Sequence, residues 1–349
     1  MVVLPCLDLD ETMRYFVDKV GFRLEMITPA DNPRSAVLTG HGIRLCLDTE
    51  FSGDGGLLRL NSTDGVSAKI VAPNGTVIEF RPMHPIPIYS DAYNDVCNDL
   101  DRTPILNRFS GDASWTIGRA GMRYRDLIPG RLGGRVIASH IHIPSGGPVP
   151  DYVHFHRIEF QMIYCRSGWV RVVYEDQGES FVMHAGDCVL QPPEIRHRVI
   201  ESSDDLEVIE VSVPAEHETF AEHEITLPNE TFKPDRIFGG QRFIRHIAEE
   251  TSWTSLSEHV QSQDTGIAKA TDHKFSTKIV RSTNSAESIQ MVNIGNTTFI
   301  YVLSGTLDLL SESSQTSFAQ DDCILIPSLT KLEAKLNGEI LQVELTLVR

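Results

Sequence analysis

The chain has 349 residues, 41% of them hydrophobic, with 48 acidic against 31 basic side chains and a formal charge of −17. That length allows two or three domains with cores of ordinary size. The acidic balance argues against nucleic acid, which needs basic patches facing its phosphates, and against anionic membrane surfaces.

The six cysteines are scattered and form no Cys-x-x-Cys. No apolar run reaches the roughly 18 residues of a membrane span. The first residues lack a basic stretch followed by a long apolar one. A cytoplasmic protein with reduced thiols is expected.

Residues 1–86 open with a strand in VVLPCLDL. Asp10 is the expected cap of a helix in which Met13, Phe16, Val17 and Val20 recur at helical spacing, and Gly21 ends it. FRLEMIT, SAVLT and IRLCLD alternate as strands, with Pro29 and Gly40 as breakers. IVAPNGTVIEF reads as a hairpin turning at Asn74-Gly75. This strand–helix–three-strand order resembles one module of the vicinal oxygen chelate (glyoxalase-like) family. LDLDETMRYFVDKVGF is similar to its first helix and the hairpin to its closing strands.

No helix is predicted between Leu58 and Ile70, so a second full module is not expected. The resemblance implies metal sites of His and Glu at strand ends. Met1 stands at the first-strand ligand position, and Glu79 alone resembles a ligand. The expectation is a shortened, ligand-poor α+β module in which Glu79 is a structural or surface carboxylate. Such a module would pack on a neighbour, mediate dimer contacts or cover a site.

Residues 87–125 read as a connector, with a helix capped by Asp91 and holding Val96 and Leu100 inward. From 126 to 214 the pattern is strands: GGRVIASHIHI, WVRVVYE, SFVMH, DCVLQ, HRVIE and LEVIEVSV, with a turn at Asp176-Gln177-Gly178. His154 and His156 alternate on one strand and therefore share a face. His197 would come from a second strand after Pro192-Pro193. Imidazole suits first-row divalent metals, and Gln161 can add a neutral carbonyl oxygen. Three nitrogens and one oxygen leave one or two positions for water, substrate or dioxygen. His140 and His142 share a face of their strand, where they could line the barrel mouth and act as acid, base or substrate donors.

Spacing sharpens this reading. His154, His156, Gln161 and Gly168, then Gly186, Pro192 and His197, resemble the two motifs of the cupin superfamily, a small β-barrel holding one divalent metal. The first family motif has Glu where Gln161 stands. The departure leaves the metal more positive and favours an anionic oxygen such as a carboxylate, enolate or phenolate. Glu159 is the lesser candidate for a substitute ligand, because Gln161 holds the family spacing.

Residues 215–262 read as a linker with a helix in WTSLSEHVQS. A repeat then follows. FIYVLSGTLDL at 299–309 matches MIYCRSGWVRV at 162–172, and DCILIPS at 322–328 matches DCVLQPP at 187–193. Residues 263–349 are therefore expected to form a second cupin barrel. Met291 and Asn293 replace the motif histidines, Thr298 replaces Gln161 and Leu332 replaces His197, so no metal is expected there.

The fold class expected is mainly β: two tandem cupin jelly-roll barrels behind the glyoxalase-like module. The leading functional expectation is a mononuclear metal-dependent dioxygenase acting on a small anionic substrate, with Glu159, His140 or His142 moving protons. Fe(II) leads as the metal, with Ni, Zn and Mn as alternatives. A non-redox isomerase, cyclase or lyase on the same site is the runner-up, and a binding or sensing protein the third reading. Partners expected are a small-molecule substrate and, through exposed strand edges, a second copy in a homodimer, with neither nucleic acid nor membrane.

Overall fold

The computed structural model describes residues 1–28, 33–62, 67–82, 104–111, 115–117, 122–283, 287–292, 296–310, 315–328 and 331–347. The chain is mainly β and divides into two compact units, Met1–Asp95 and Val96–Arg349. The helix expected from Asp91 through Val96 and Leu100 lies outside the described residues.

In the first unit, β1 (Val2–Pro5), α1 (Leu9–Tyr15), β2 (Arg23–Thr28), β3 (Ser35–Gly40) and β4 (Ile43–Asp48) follow in the predicted order. The four strands form a sheet in the order β1-β4-β3-β2, with β1 parallel to β4. The helix starts earlier than predicted. Asp8, not Asp10, is the cap: its backbone is extended and its side chain accepts from the Glu11 N–H at 2.9 Å. Asp10 falls inside the first turn, where its charge suits the helix dipole. After Phe16–Val20, Gly21 takes a positive φ of 86° and ends the helical run.

Three further strands, β5 (Leu57–Ser62), β6 (Ala68–Val71) and β7 (Val77–Pro82), make a second sheet, and β6 and β7 are the predicted hairpin. Phe16, Val20, Leu38, Leu45, Leu47 and Ile78 meet in one core. Glu79 is held by Arg59 at 3.0 Å, Arg81 at 3.4 Å and Lys69 at 3.9 Å, and the hydrogen bond from Arg59 keeps its carboxyl below the usual range.

The second unit begins with β8 (Ile105–Asn107), β9 (Thr116–Ile117) and β10 (Arg123–Asp126). Next come β11 (Ile137–Ile143), β12 (Gly147–Pro148), β13 (His154–Arg157), β14 (Phe160–Ser167), β15 (Trp169–Tyr174), β16 (Phe181–His184), β17 (Cys188–Leu190), β18 (His197–Ser202) and β19 (Leu206–Val213). Beyond Pro214 lie β20 (Glu218–Ala221), β21 (Ile237–Phe238), β22 (Gln241–Arg242), β23 (Ile244–His246), β24 (Thr254–Ser255) and β25 (Val260–Asp264). The last strands are β26 (Phe275–Ser282), β27 (Glu287–Val292), β28 (Thr297–Leu310), β29 (Gln315–Ala319), β30 (Cys323–Ile326) and β31 (Lys331–Leu345).

Two sheets enclose the histidine-rich stretch. One runs β23-β17-β14-β19-β11-β10-β9, the other β16-β15-β18-β13-β20. A third, β24-β25-β26-β31-β28-β30-β8, holds the C-terminal strands. Short segments from stretches read as connector or linker pair into these sheets, among them β8 with β30, β20 with β13 and β23 with β17. The helix expected in WTSLSEHVQS is instead the β24–β25 hairpin. Pairing of β25 along β26 satisfies its backbone and overrides the weak helical spacing.

The repeat in the sequence is a repeat in register. β14 runs beside β17 and β19 as β28 runs beside β30 and β31. Both long strands bulge at the same place, between Cys165 and Ser167 and between Val302 and Ser304. The glycine that follows each bulge, Gly168 or Gly305, has positive φ. Asp187 and Asp322 close equivalent turns, each accepting at 2.9 Å from the N–H three residues before it.

Alternation on β14 serves two cores. Phe160, Met162 and Tyr164 face Phe275, Phe299 and Tyr301 in a core shared between the two halves of the unit. Phe160 stacks on Phe275 with centroids 4.3 Å apart. The opposite face, with Gln161, Ile163 and Cys165, turns to the space between the first two sheets.

Candidate metal centre

The histidines are placed by strand pairing. His154 and His156 share one face of β13, and the first residue of β18, His197, is the register partner of His154. The ring centroids lie 4.2 Å apart for His154 and His197, and 5.2 Å apart for each of the other two pairs. Ligand nitrogens of all three fall within 4.8 Å of one another.

Each ring is turned by a bond on its other side. His154 Nδ1 donates to the Tyr152 carbonyl at 2.8 Å and His197 Nδ1 to the Ile195 carbonyl at 3.0 Å. His156 Nδ1 pairs with Thr219 Oγ1 at 2.9 Å. A ring whose Nδ1–H donates to a carbonyl carries its lone pair on Nε2. Nε2 is thus the nitrogen that His154 and His197 present, and the Thr219 contact at Nδ1 orients the His156 ring.

Gln161 reaches the same space from β14 in the facing sheet. It is 2% exposed, and its Oε1 atom is buried with no hydrogen-bond partner among the described residues. A buried carbonyl oxygen left unpaired costs about 1–3 kcal/mol, so the atom fits a site that a cation completes. Three neutral imidazoles and an amide oxygen are a suitable donor set for a first-row divalent metal.

The histidines and Gln161 stand in a cavity that gives about 90 Å³ to the centres of water-sized molecules. Its other walls are mainly apolar, with Ile141, Val172, Met183, Val199 and Val208 among them. Tyr174 stacks beside His197 at 5.6 Å, and burial pushes its hydroxyl pKa up, so it stays protonated.

The residues expected to move protons are placed elsewhere. The lining positions of β11 are Ile141 and Ile143, so alternation turns His140 and His142 to the opposite face. There His140 is buried, with Nε2 3.2 Å from Glu207 and Nδ1 3.3 Å from the Tyr301 hydroxyl. His142 Nε2 lies 3.2 Å from Asp205, and Trp115 sits edgewise against His140, with centroids 5.0 Å apart. Glu159 is one residue off the lining face. Its carboxylate is 3.9 Å from Lys274, and burial raises its pKa.

Several site residues were not anticipated. Glu210 and Gln191 line the cavity, Thr219 holds His156, and the His217 ring lies 5.4 Å from that of His156. Glu210 had a signal, since alternation in LEVIEVSV puts it on one face with Leu206 and Val208. Thr219 had none, because its strand is built from a stretch with no strand pattern. In the C-terminal repeat, Thr298 is buried at the place of Gln161. Asn293 lies outside the described residues, as do the side chains of Met291 and Leu332, whose backbones pair across β27 and β31.

Residues 139–213 match the cupin domain family model. The structure is similar to that of a Lactobacillus farciminis oxalate decarboxylase formate complex at 17% identity and a TM-score of 0.50, over 70% of this chain and 86% of that one. It is also similar to procruciferin, an 11S globulin from Brassica napus, at 9% identity and a TM-score of 0.51, over 72% and 86% of the two chains. None of the curated proteins matches the sequence. The matched stretch, residues 139–213, is thus similar to a cupin domain, and the three histidines that could hold a metal lie inside it.

Proposed function

We propose that the protein is a mononuclear metal-dependent dioxygenase acting on a small substrate that offers an enol, phenol or carboxylate oxygen. The observation that carries the reading is the convergence of three tethered imidazoles and one orphaned amide oxygen in an apolar-walled cavity. His154, His156 and His197 would hold the ion and Gln161 would add a neutral oxygen. Fe(II) is the favoured metal, with Ni, Zn or Mn as alternatives. When bound, it would supply a Lewis-acidic centre and, as iron, a redox couple.

The chain's own residues set the conditions. The donors carry no negative charge, which favours an anionic substrate oxygen. The mainly apolar walls would lower the local dielectric and strengthen that attraction. Residues 263–349 are read as a second barrel that keeps the fold without ligands, a reading the repeated bulge and register support. Residues 1–86 are read as a shortened glyoxalase-like module, on the order of β1, α1 and β2–β4.

One observation favours a second reading, non-redox isomerase or lyase chemistry. Glu210 brings a carboxylate into the cavity, as a reaction that moves a proton requires.

The test is the metal content of anaerobically purified protein by elemental mass spectrometry, beside the His156→Ala variant. About one iron per chain, lost in the variant, with oxygen uptake on enols or catechols, is the expected result. Full occupancy in His156→Ala would sink the site assignment. Stoichiometric Zn or Mn with oxygen-independent turnover would move the reading to the lyase class.

A further inference from the structure

We infer that Glu210 selects the substrate: its carboxylate accepts a hydrogen bond from a hydroxyl or ammonium group on the molecule whose oxyanion faces the histidines, and it turns dicarboxylates away. This rests on the metal reading above and narrows the substrate class for that same site.

The strand register carries the argument. Glu210 is the register partner of Ile163, and Ser212 the partner of Gln161. Glu210 is therefore the diagonal neighbour of Gln161 across the β14–β19 pair, about 7 Å away by sheet geometry. It does not join the three histidines as a ligand, since their nitrogens form a group that no carboxylate enters among the described residues. The carboxylate therefore lines the same cavity as the histidines without belonging to their group.

Its own surroundings leave it asking for a donor. Ser212 Oγ donates to Oε1 at 3.0 Å, and no cation pairs with Glu210 among the described residues. Ile163, Val208 and Ile141 near it are apolar; its register partner on β11 is Ser139, and Tyr174 and Gln191 are polar members of the lining, but none of these three side chains hydrogen-bonds Glu210 among the described residues. A carboxylate in such a wall is costly unless its oxygens are hydrogen-bonded. When ligand displaces water from the cavity, the ligand must supply the donor. A hydroxyl or ammonium group does so with a charge-assisted bond. A second carboxylate cannot, and it adds like-charge repulsion in a low-dielectric space.

The consequence separates this site from that of its fold neighbour, whose name states that it acts on oxalate. Oxalate would meet Glu210 with its second carboxylate. A hydroxy acid, an amino acid or an enol with a distal hydroxyl would not.

The test uses cobalt(II)-loaded full-length protein, the d–d absorption reporting binding at the metal. The probes are two- to four-carbon carboxylates ending in methyl, hydroxyl or a second carboxylate: acetate, glycolate and oxalate, then the longer homologues. Wild type is expected to bind at least one hydroxy acid about tenfold more tightly than its methyl and dicarboxylate counterparts, the scale of one charge-assisted bond. Glu210→Gln should keep its cobalt and lose the preference against dicarboxylates. Glu210→Asp, which retracts the carboxylate, should shift the preference to a longer hydroxy acid and serves if the glutamine variant misfolds. Dicarboxylates binding as tightly as hydroxy acids to wild type overturn the inference, as does an unchanged preference in the variants or no binding by any probe. Cobalt bound without selectivity overturns this inference alone. No cobalt uptake overturns the metal reading and takes this inference with it.

Discussion

Each imidazole of the cluster is aimed by the bond it makes with its other nitrogen. Two of those bonds go to backbone carbonyls of Tyr152 and Ile195, which substitution cannot remove, and one goes to Thr219 Oγ1. Thr219→Val keeps the shape and deletes the hydroxyl. Metal affinity should fall about 10- to 100-fold, the usual effect of losing such an outer contact, with the melting temperature of the metal-free protein unchanged. Competition with a chelator measures the first and a thermal scan the second. The His-x-His pair, Gln161 and His197 were legible in the sequence because period-two alternation and motif spacing are local properties. Thr219 was not, because its strand exists only through pairing with His156 and its neighbours.

At the scale of the element, alternation on β11 decides which chemistry faces which way. Ile141 and Ile143 go to the cavity, and His140 goes to a buried polar cluster with Glu207, Arg166, Asp321, Tyr301 and Arg125. The two histidines were correctly read as sharing a face, but nothing local says which face is inward. Burial lowers the His140 pKa, the hydrogen bond to Glu207 pulling the other way. The unfolded chain then takes up a proton at a higher pH than the folded one. The resulting stability is present above the ordinary His value of about 6.5 and is lost as pH falls from there through the lowered folded value. Burial raises Glu207, but the His140 bond and the Arg166 charge outweigh it and hold its carboxyl low, so a further loss follows in the carboxylate range. Urea midpoints should drop from pH 7.5 to pH 5.5, and His140→Gln should flatten part of that slope.

The bulges belong to the same scale. Gly305 has a φ of 73°, and a Cβ there would meet the Asn337 carbonyl oxygen at 1.9 Å. Gly305→Ala should therefore cost at least about 2 kcal/mol, from left-handed strain with a backbone clash added. Urea denaturation measures it, and a loss under about 0.5 kcal/mol, the range of an ordinary surface change, would count against the bulge as a constraint.

Over the whole molecule, the half that carries the histidine cluster is not self-sufficient. Phe160, Met162, Tyr164, Ile209 and Val211 face the core shared with Phe275, Phe299, Tyr301 and Leu341. A fragment ending at Pro214 would expose that apolar face and lose Thr219 and β23 as well. It should be insoluble or bind no metal, whereas the full chain should be soluble and bind it; gel filtration and elemental analysis decide. Among the described residues no helix is long and apolar enough to cross a membrane.

By itself the sequence determined the mainly β composition, most strand positions, the internal repeat and the three histidines with Gln161. These follow from side-chain periodicity and short spacings, which act along the chain. Tertiary structure alone decided which face of β11 and β19 points inward, that β8, β20, β23 and the β24–β25 hairpin join the sheets, and that Glu210 rather than His140, His142 or Glu159 enters the cavity. Those outcomes depend on pairing between strands far apart in the chain, where burial of an entire face and satisfaction of backbone hydrogen bonds outweigh local preference.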